Sequence, residues 1–370
     1  MKKALPLPAL VFKNYAELAL RWNIRDPEIL HKVFSTDNQD FVFDIHFNEV
    51  RENEPESIQI RAFNLSWIHD RACIVFNAMR ESGKTVLMYQ LIASKSFLKQ
   101  GYCVSASEGA SHYWEPIFGE RHTQELFDPE DQHEILAVQE QCTTLYMSEL
   151  AERRFCDPRA INIQEDCAWD NKVHYDSGGL DRIAMSGRHY HLLNIITTQR
   201  MQKVSTSFRD NCDLIVLFRS DNADVRKEVW RQWGSFISER RFLQIWDEVT
   251  STPFHALLIM NRGQSRFEPP ENRLFHFKAR TEEEVDKLLP GWRVGRDEQS
   301  AADEEATVDQ AELERLRMFR NIEDMQQRFE ASPLSLSERY LQQRRRVLEK
   351  RIYDDIEDVV ARANQKGGDA

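Results

Sequence analysis

Arg71-Ala-Cys-Ile-Val-Phe-Asn-Ala-Met-Arg80-Glu-Ser-Gly-Lys-Thr85-Val-Leu-Met88 decides the fold. Ala72 to Phe76 is almost wholly apolar, the pattern of a strand covered on both faces of a parallel sheet. Val86, Leu87, Leu91 and Ile92 then recur at helical spacing. Ser82-Gly-Lys-Thr85 falls at the bend between them. A strand-to-helix bend of this kind gathers backbone N–H groups around phosphates at the positive end of the helix. Lys84 is placed to reach the β- and γ-oxygens, and the Thr85 hydroxyl to hold Mg²⁺. Ala78, Arg80, Glu81, Ser82, Gly83, Lys84, Thr85 and Val86 are therefore the candidate nucleotide-binding residues. The full pattern has glycine where this chain has Ala78. The flanking strand and helix favour a phosphate loop over an ordinary strand–turn–helix.

Hydrolysis needs acids at the end of a second strand. Ala160-Ile-Asn-Ile-Gln-Glu165-Asp166 supplies two. Adjacent carboxylates at a strand end diverge, so one can hold Mg²⁺ through water while the other activates the attacking water. Glu165 fits the metal side and Asp166 the base, or the reverse. A third apolar strand, Asn194-Ile-Ile-Thr-Thr198-Gln199, ends in an amide. Strand ends of a parallel sheet share one rim, which makes Gln199 a sensor of the γ-phosphate or its water, with Thr198 beside it. Glu108, after Ser105-Ala-Ser, falls on the same rim and joins the candidate nucleotide-binding residues, to position water, to relay nucleotide state or to cap the next segment. Arg200, Arg209 and Arg219 are candidates for the arginine that neutralises transition-state charge, often from a neighbouring subunit. Arg209 and Arg219 are favoured. A guanine site wants Asn-Lys-x-Asp, and Asn171-Lys-Val-His174 breaks it. ATP is the expected nucleotide.

Candidate strands at Ala72–Asn77, Tyr102–Ala106, Ala160–Gln164, Leu192–Thr197, Leu214–Phe218 and His255–Met260 alternate with helices near Lys84–Leu98, His133–Glu152, Asp221–Trp233 and Ser235–Glu248. Arg273–Lys278 adds a late strand. This is an α/β pattern with a mostly parallel central sheet. We divide the chain into an N-terminal β-containing module (1–70), an ATPase core (71–290), an acidic linker (291–307) and a charged helical tail (308–370). In the first module Phe41-Val-Phe-Asp-Ile-His-Phe47 and Ser57-Ile-Gln-Ile-Arg-Ala-Phe63 alternate with period two and predict a hairpin at the sheet edge.

The 370 residues are 41% hydrophobic, enough for a sizeable core, with no apolar run long enough to span a membrane. Prolines and Lys13 interrupt the apolar N-terminus, which reads as a mature start and not as a signal peptide. The six cysteines form no C-x-x-C pair and read as reduced thiols, with no zinc site. His189 and His191 are expected to pack and not to ligate a metal. A net charge of −12 speaks against a general nucleic-acid coat protein, and is compatible with a motor that grips DNA by a few loops.

The ordered set Met79-Arg-Glu-Ser-Gly-Lys-Thr85, Ala106-Ser-Glu108, Ile163-Gln-Glu-Asp-Cys167, Gly187-Arg-His-Tyr-His-Leu-Leu-Asn-Ile-Ile-Thr-Thr-Gln199 and Asp213-Leu-Ile-Val-Leu-Phe218 resembles the genome-packaging ATPases of large eukaryotic DNA viruses and virophages, of the poxvirus type. These belong to the FtsK–HerA superfamily of ring-forming DNA pumps. The resemblance spans roughly residues 70–280. It implies a RecA-like P-loop core, nucleotide held between subunits of a homo-pentameric or homo-hexameric ring, and double-stranded DNA threaded into a preformed capsid. It implies a capsid or vertex protein as partner, and a place in the host cytoplasm, the virus factory or the virion. Gln199 matches the sensor glutamine, and Glu165-Asp166 the acid pair. Ala78 and Glu165 depart from the commoner glycine and aspartate. A HerA-like cellular or conjugative pump, or a nucleotide-binding scaffold that does not hydrolyse, are the rival readings.

Overall fold

A computed structural model describes residues 7–47, 56–79, 81–98, 100–105, 113–114, 116–118, 123–124, 136–144, 158–165, 179–199, 205–262 and 269–292. Two helices open the chain, α1 (Leu7–Arg21) and α2 (Pro27–Phe34). The sequence reading missed both. The α2 start was legible: Asp26 accepts from Glu28 N–H, and Pro27 takes the first helical position, where its missing N–H costs nothing. The hairpin strands β1 (Phe43–His46) and β2 (Ser57–Ala62) follow. Then come β3 (Cys73–Asn77), α3 (Lys84–Ser94), β4 (Gln100–Ser105), the short β5 (Thr123–Gln124) and β6 (Ala160–Glu165). Next are α4 (Gly179–Ser186), β7 (Leu192–Thr198), α5 (Thr206–Asn211), β8 (Leu214–Leu217) and α6 (Ala223–Val229). The chain continues through a π-helical stretch, Trp230–Gly234, into α7 (Glu239–Thr250), β9 (His255–Met260), β10 (Leu274–Lys278) and α8 (Glu282–Leu288).

Among the described residues ten strands form one sheet in the order β1-β2-β10-β9-β8-β3-β7-β6-β4-β5. The run from β8 to β5 is parallel throughout, and β9 pairs antiparallel with both β8 and β10. The fold is thus α/β with a mostly parallel central sheet. The hairpin forms at one end, with Ile45 opposite Ile58.

Alternate residues of the central strands bury opposite faces. Ile74, Phe76, Ile161, Ile163, Leu193 and Ile195 join a core with Leu87 and Leu91 of α3 and with Leu18, Leu30 and Phe34 of the first two helices. Val75, Ile196, Ile215 and Leu217 face the second core, with Phe208, Val225, Phe242 and Trp246. Because α3 is enclosed, its polar Gln90 must be satisfied internally. Its amide donates to Val33 O at 3.1 Å and Ser35 O at 3.0 Å, and accepts from Arg280 N–H. One side chain therefore ties α2, α3 and the segment after β10 together. Among the described residues no helix is long and apolar enough to cross a membrane.

Candidate functional site

The strand order sets the site. β7 lies between β3, which leads into the candidate phosphate loop, and β6, which ends in the acid. Their register is continuous: Asn77 faces Thr198, and Gln164 faces Ile196. All three strands therefore stop at one rim.

The loop has the backbone a cradle requires. Gly83 caps α3 in the left-handed region at φ +93°, and Glu81 also takes a positive φ of +59°. Left-handed backbone suits glycine, which has no Cβ to clash. Leu87 N–H closes the first helical turn on Gly83 O at 3.1 Å. The loop's entry is fixed by Ala78 N–H, which donates to Thr198 O at 3.2 Å. Ser82 Oγ is buried and has no hydrogen-bond partner. An orphaned hydroxyl beside a left-handed glycine and a lysine fits a phosphate, which supplies acceptors for all of them.

Lys84 leaves the first turn of α3 and spans the strand ends. Its Nζ lies 3.1 Å from Glu165 Oε1, with 13% and 10% of the two side chains exposed. The same Nζ lies 3.4 Å from Thr197 Oγ1. Parity explains the meeting. Ile161, Ile163 and Glu165 alternate on the α3 face of β6, as Leu193, Ile195 and Thr197 do on β7. The sequence reading singled out Thr198. Its neighbour Thr197 offers the hydroxyl, and counting alternate residues from Leu193 was the available signal. Thr198 contributes its carbonyl, to Ala78 and to Asn77 Nδ2.

Trp114 was also missed. Its indole N–H donates to the second oxygen, Glu165 Oε2, and the ring is wholly buried. The neighbouring Tyr113 hydroxyl donates to Glu282 Oε1 at 2.6 Å, and burial followed by that carboxylate pushes the phenol well up from its usual value. Nothing in the local sequence announces an indole as partner to a distant strand-end acid.

Other candidates fall as follows. Gln199 follows β7 on the rim and is exposed. Arg219 follows β8 and is two-thirds exposed, 3.5 Å from Asp221. Arg209, on α5, is held within its own chain by Glu228 at 2.5 Å and Thr206 at 3.1 Å. Arg80, Glu108, Asp166 and Arg200 lie outside the described residues, as do the chain beyond 292 and its expected linker and tail. The Gly187-Arg-His stretch occupies a 3₁₀ turn at the opposite end of β7 from Gln199. A β-carbon on Gly187 would come within 2.6 Å of Asn194 Nδ2, so the glycine makes room for a buried amide that also accepts from Asn162 of β6.

No protein-family model matches the chain. It is 22% identical over 211 residues to uncharacterized protein 075L of Invertebrate iridescent virus 6, covering 57% of this chain and 78% of that protein. It is 23% identical over 223 residues to uncharacterized protein L437 of Acanthamoeba polyphaga mimivirus, covering 60% and 78%. Among solved structures it is similar to the genome packaging NTPase B204 of Sulfolobus turreted icosahedral virus 2, at a TM-score of 0.37 and 14% identity, over 58% of this chain and all of that one.

Proposed function

We propose that this chain hydrolyses ATP to move double-stranded DNA, and that its task is to fill a preformed viral capsid. The observation that carries the enzymatic part is the 3.1 Å approach of Lys84 to Glu165 beneath the left-handed loop. A cation that contacts phosphate and an acid that manages metal or water meet at one point, as phosphoryl transfer to water requires. The packaging part rests on the ordered motifs and on the viral origin of the similar proteins.

In this reading the loop from Ala78 to Val86 wraps the phosphates, and Lys84 exchanges Glu165 for their oxygens. Thr85 with one of Glu165 and Asp166 would hold Mg²⁺, which when bound would draw negative charge from the phosphates. Whichever of Glu165 and Asp166 is not committed to the metal orients the water. Gln199 contacts the terminal phosphate. The subunits form a pentameric or hexameric ring. Between the two favoured arginines, Arg219 is the better trans contributor, since it is open to solvent while Arg209 is engaged by Glu228. The partners are DNA and a capsid or vertex protein.

The test is phosphate release with and without double-stranded DNA by the full chain, Lys84→Ala and Asp166→Asn. DNA-stimulated hydrolysis that both substitutions abolish is expected. Equal activity in all three proteins refutes the assignment.

A further inference from the structure

Phe254 is the other abnormal residue at the rim. It closes the turn between α7 and β9 and takes a positive φ of +65°. A bulky residue in that region is an outlier, kept only where its surroundings over-determine it, and such outliers gather at ligand clamps. Topology puts the turn at the site. β9 runs antiparallel to β8 with Leu257 opposite Leu217, so the residues before β9 lie past the C-terminal end of β8. Contact confirms the placement. A β-carbon on Gly83 would lie 2.7 Å from Phe254 Cδ1 and 3.3 Å from its Cα, so backbone and ring both rest on the loop's left-handed glycine.

The residue is held firmly yet left open. His255, next in sequence, begins β9 and packs edge to face on Phe43 at 5.8 Å. Thr252 O accepts from His255 N–H at 3.3 Å and closes the turn. Phe254 itself remains 51% exposed. If it merely filled the core, it would be covered. If it merely closed the turn, it would be glycine or asparagine, which adopt this backbone at less cost. Instead a flat apolar surface is fixed against the phosphate cradle with one side in solvent. Met79, in the loop itself, is likewise exposed.

We propose that the ring of Phe254 is the platform on which the base of the bound nucleoside triphosphate stacks. This rests on the phosphate-loop reading of the site. A base presents a planar π-face of matching size, and aromatic stacking tolerates any base, favouring larger rings. Phe254 then confers preference for purine over pyrimidine triphosphates, while discrimination between adenine and guanine comes from elsewhere.

The experiment is calorimetric titration of the full chain with Mg-ATP and with Mg-tripolyphosphate, which has the phosphates and no base. Phe254→Ala is expected to weaken ATP roughly tenfold or more and to leave tripolyphosphate within twofold. Phe254→Tyr is expected to bind both as wild type does. Equal weakening of both ligands by Phe254→Ala would mean the ring only shapes the loop, and no change in either would mean it touches neither; each result overturns the platform. Lys84→Ala serves as the separate control, expected to weaken both ligands. Should it weaken neither, the phosphate-loop reading falls and the platform with it. A lysine effect without a phenylalanine effect sinks the platform alone.

Discussion

Lys84 and Glu165 neutralise each other across the end of β7, 3.1 Å apart and almost wholly removed from water. Neither charge can leave the other without a replacement, because an unpaired charge at such a position is costly. Under the proposed function, nucleotide binding is an exchange of partners: phosphate takes the lysine, and the acid is released for metal or water.

That exchange gives the first prediction. Glu165→Gln frees Lys84 from a competing carboxylate and removes an anion from the rim. Without Mg²⁺ the variant is expected to bind ATP several-fold tighter than wild type, read by calorimetry. With Mg²⁺ its turnover is expected to fall by about 10²–10⁴-fold, the usual worth of a positioned acid or base.

Trp114→Phe keeps most of the buried ring and removes the donor to Glu165 Oε2. An oxygen that loses its donor in a buried site costs about 1–3 kcal/mol. Steady-state kinetics are expected to show a lower kcat with little change in KM, because the indole N–H donates to the acid.

Gly83→Ala meets two penalties. A side chain at φ +93° costs about 1–2 kcal/mol, and its Cβ would sit 2.7 Å from the ring of Phe254. ATP affinity is expected to drop at least about tenfold. The thermal midpoint is expected to fall only a few degrees, as a loss of 1–2 kcal/mol gives in a chain of this size. Binding and melting curves on the same samples separate the two effects.

A fourth prediction concerns the end of the sheet away from the site. Lys95 is wholly buried and donates to Ile68 O at 2.5 Å. Burial pushes its ammonium down to about 7, against the attraction of Asp70 and Glu17. Burial would raise Asp70, but hydrogen bonds from His69 and Arg159 and the charge of Lys13 outweigh it and hold that carboxyl well below the usual range. Asp70 therefore stays ionised above pH 7 and adds no slope there. Between about pH 7 and the ordinary lysine value near 10.4 the unfolded chain binds the extra proton, so stability rises with pH. Urea unfolding at pH 7 and pH 9 is expected to show this rise, of the order of 1 kcal/mol per pH unit, in wild type and not in Lys95→Met.

Strands of the core were legible because a strand buried on both faces must be apolar along its length. The β9 bounds, His255–Met260, are those the pattern predicted; β3, β6, β7 and β8 differ by one residue at one end, and β4 begins two residues earlier and ends one residue earlier than predicted. The hairpin strands were legible by alternation. Helix α4 was not: Gly179-Leu-Asp-Arg-Ile-Ala-Met-Ser186 is short, begins with glycine and buries Ile183 and Ala184 among polar neighbours. Phe254 had no local signal at all, since its peculiarity is a backbone angle and a contact with a loop far earlier in the chain.

The sequence by itself determined which segments end in candidate chemistry: a lysine after a glycine at a strand-to-helix bend, an acid after Ala160–Gln164, an amide after the strand predicted at Leu192–Thr197. Apolar runs and turn residues are local properties, and local sterics and hydration suffice to set them. Only the tertiary structure decided that β7 sits between the other two strands, that Thr197 and not Thr198 turns its hydroxyl to Lys84, and that Trp114 and Phe254 border the site. Those relations depend on strand order and facing parity across the sheet, which arise when distant segments bury their apolar faces together and which no single stretch of chain encodes.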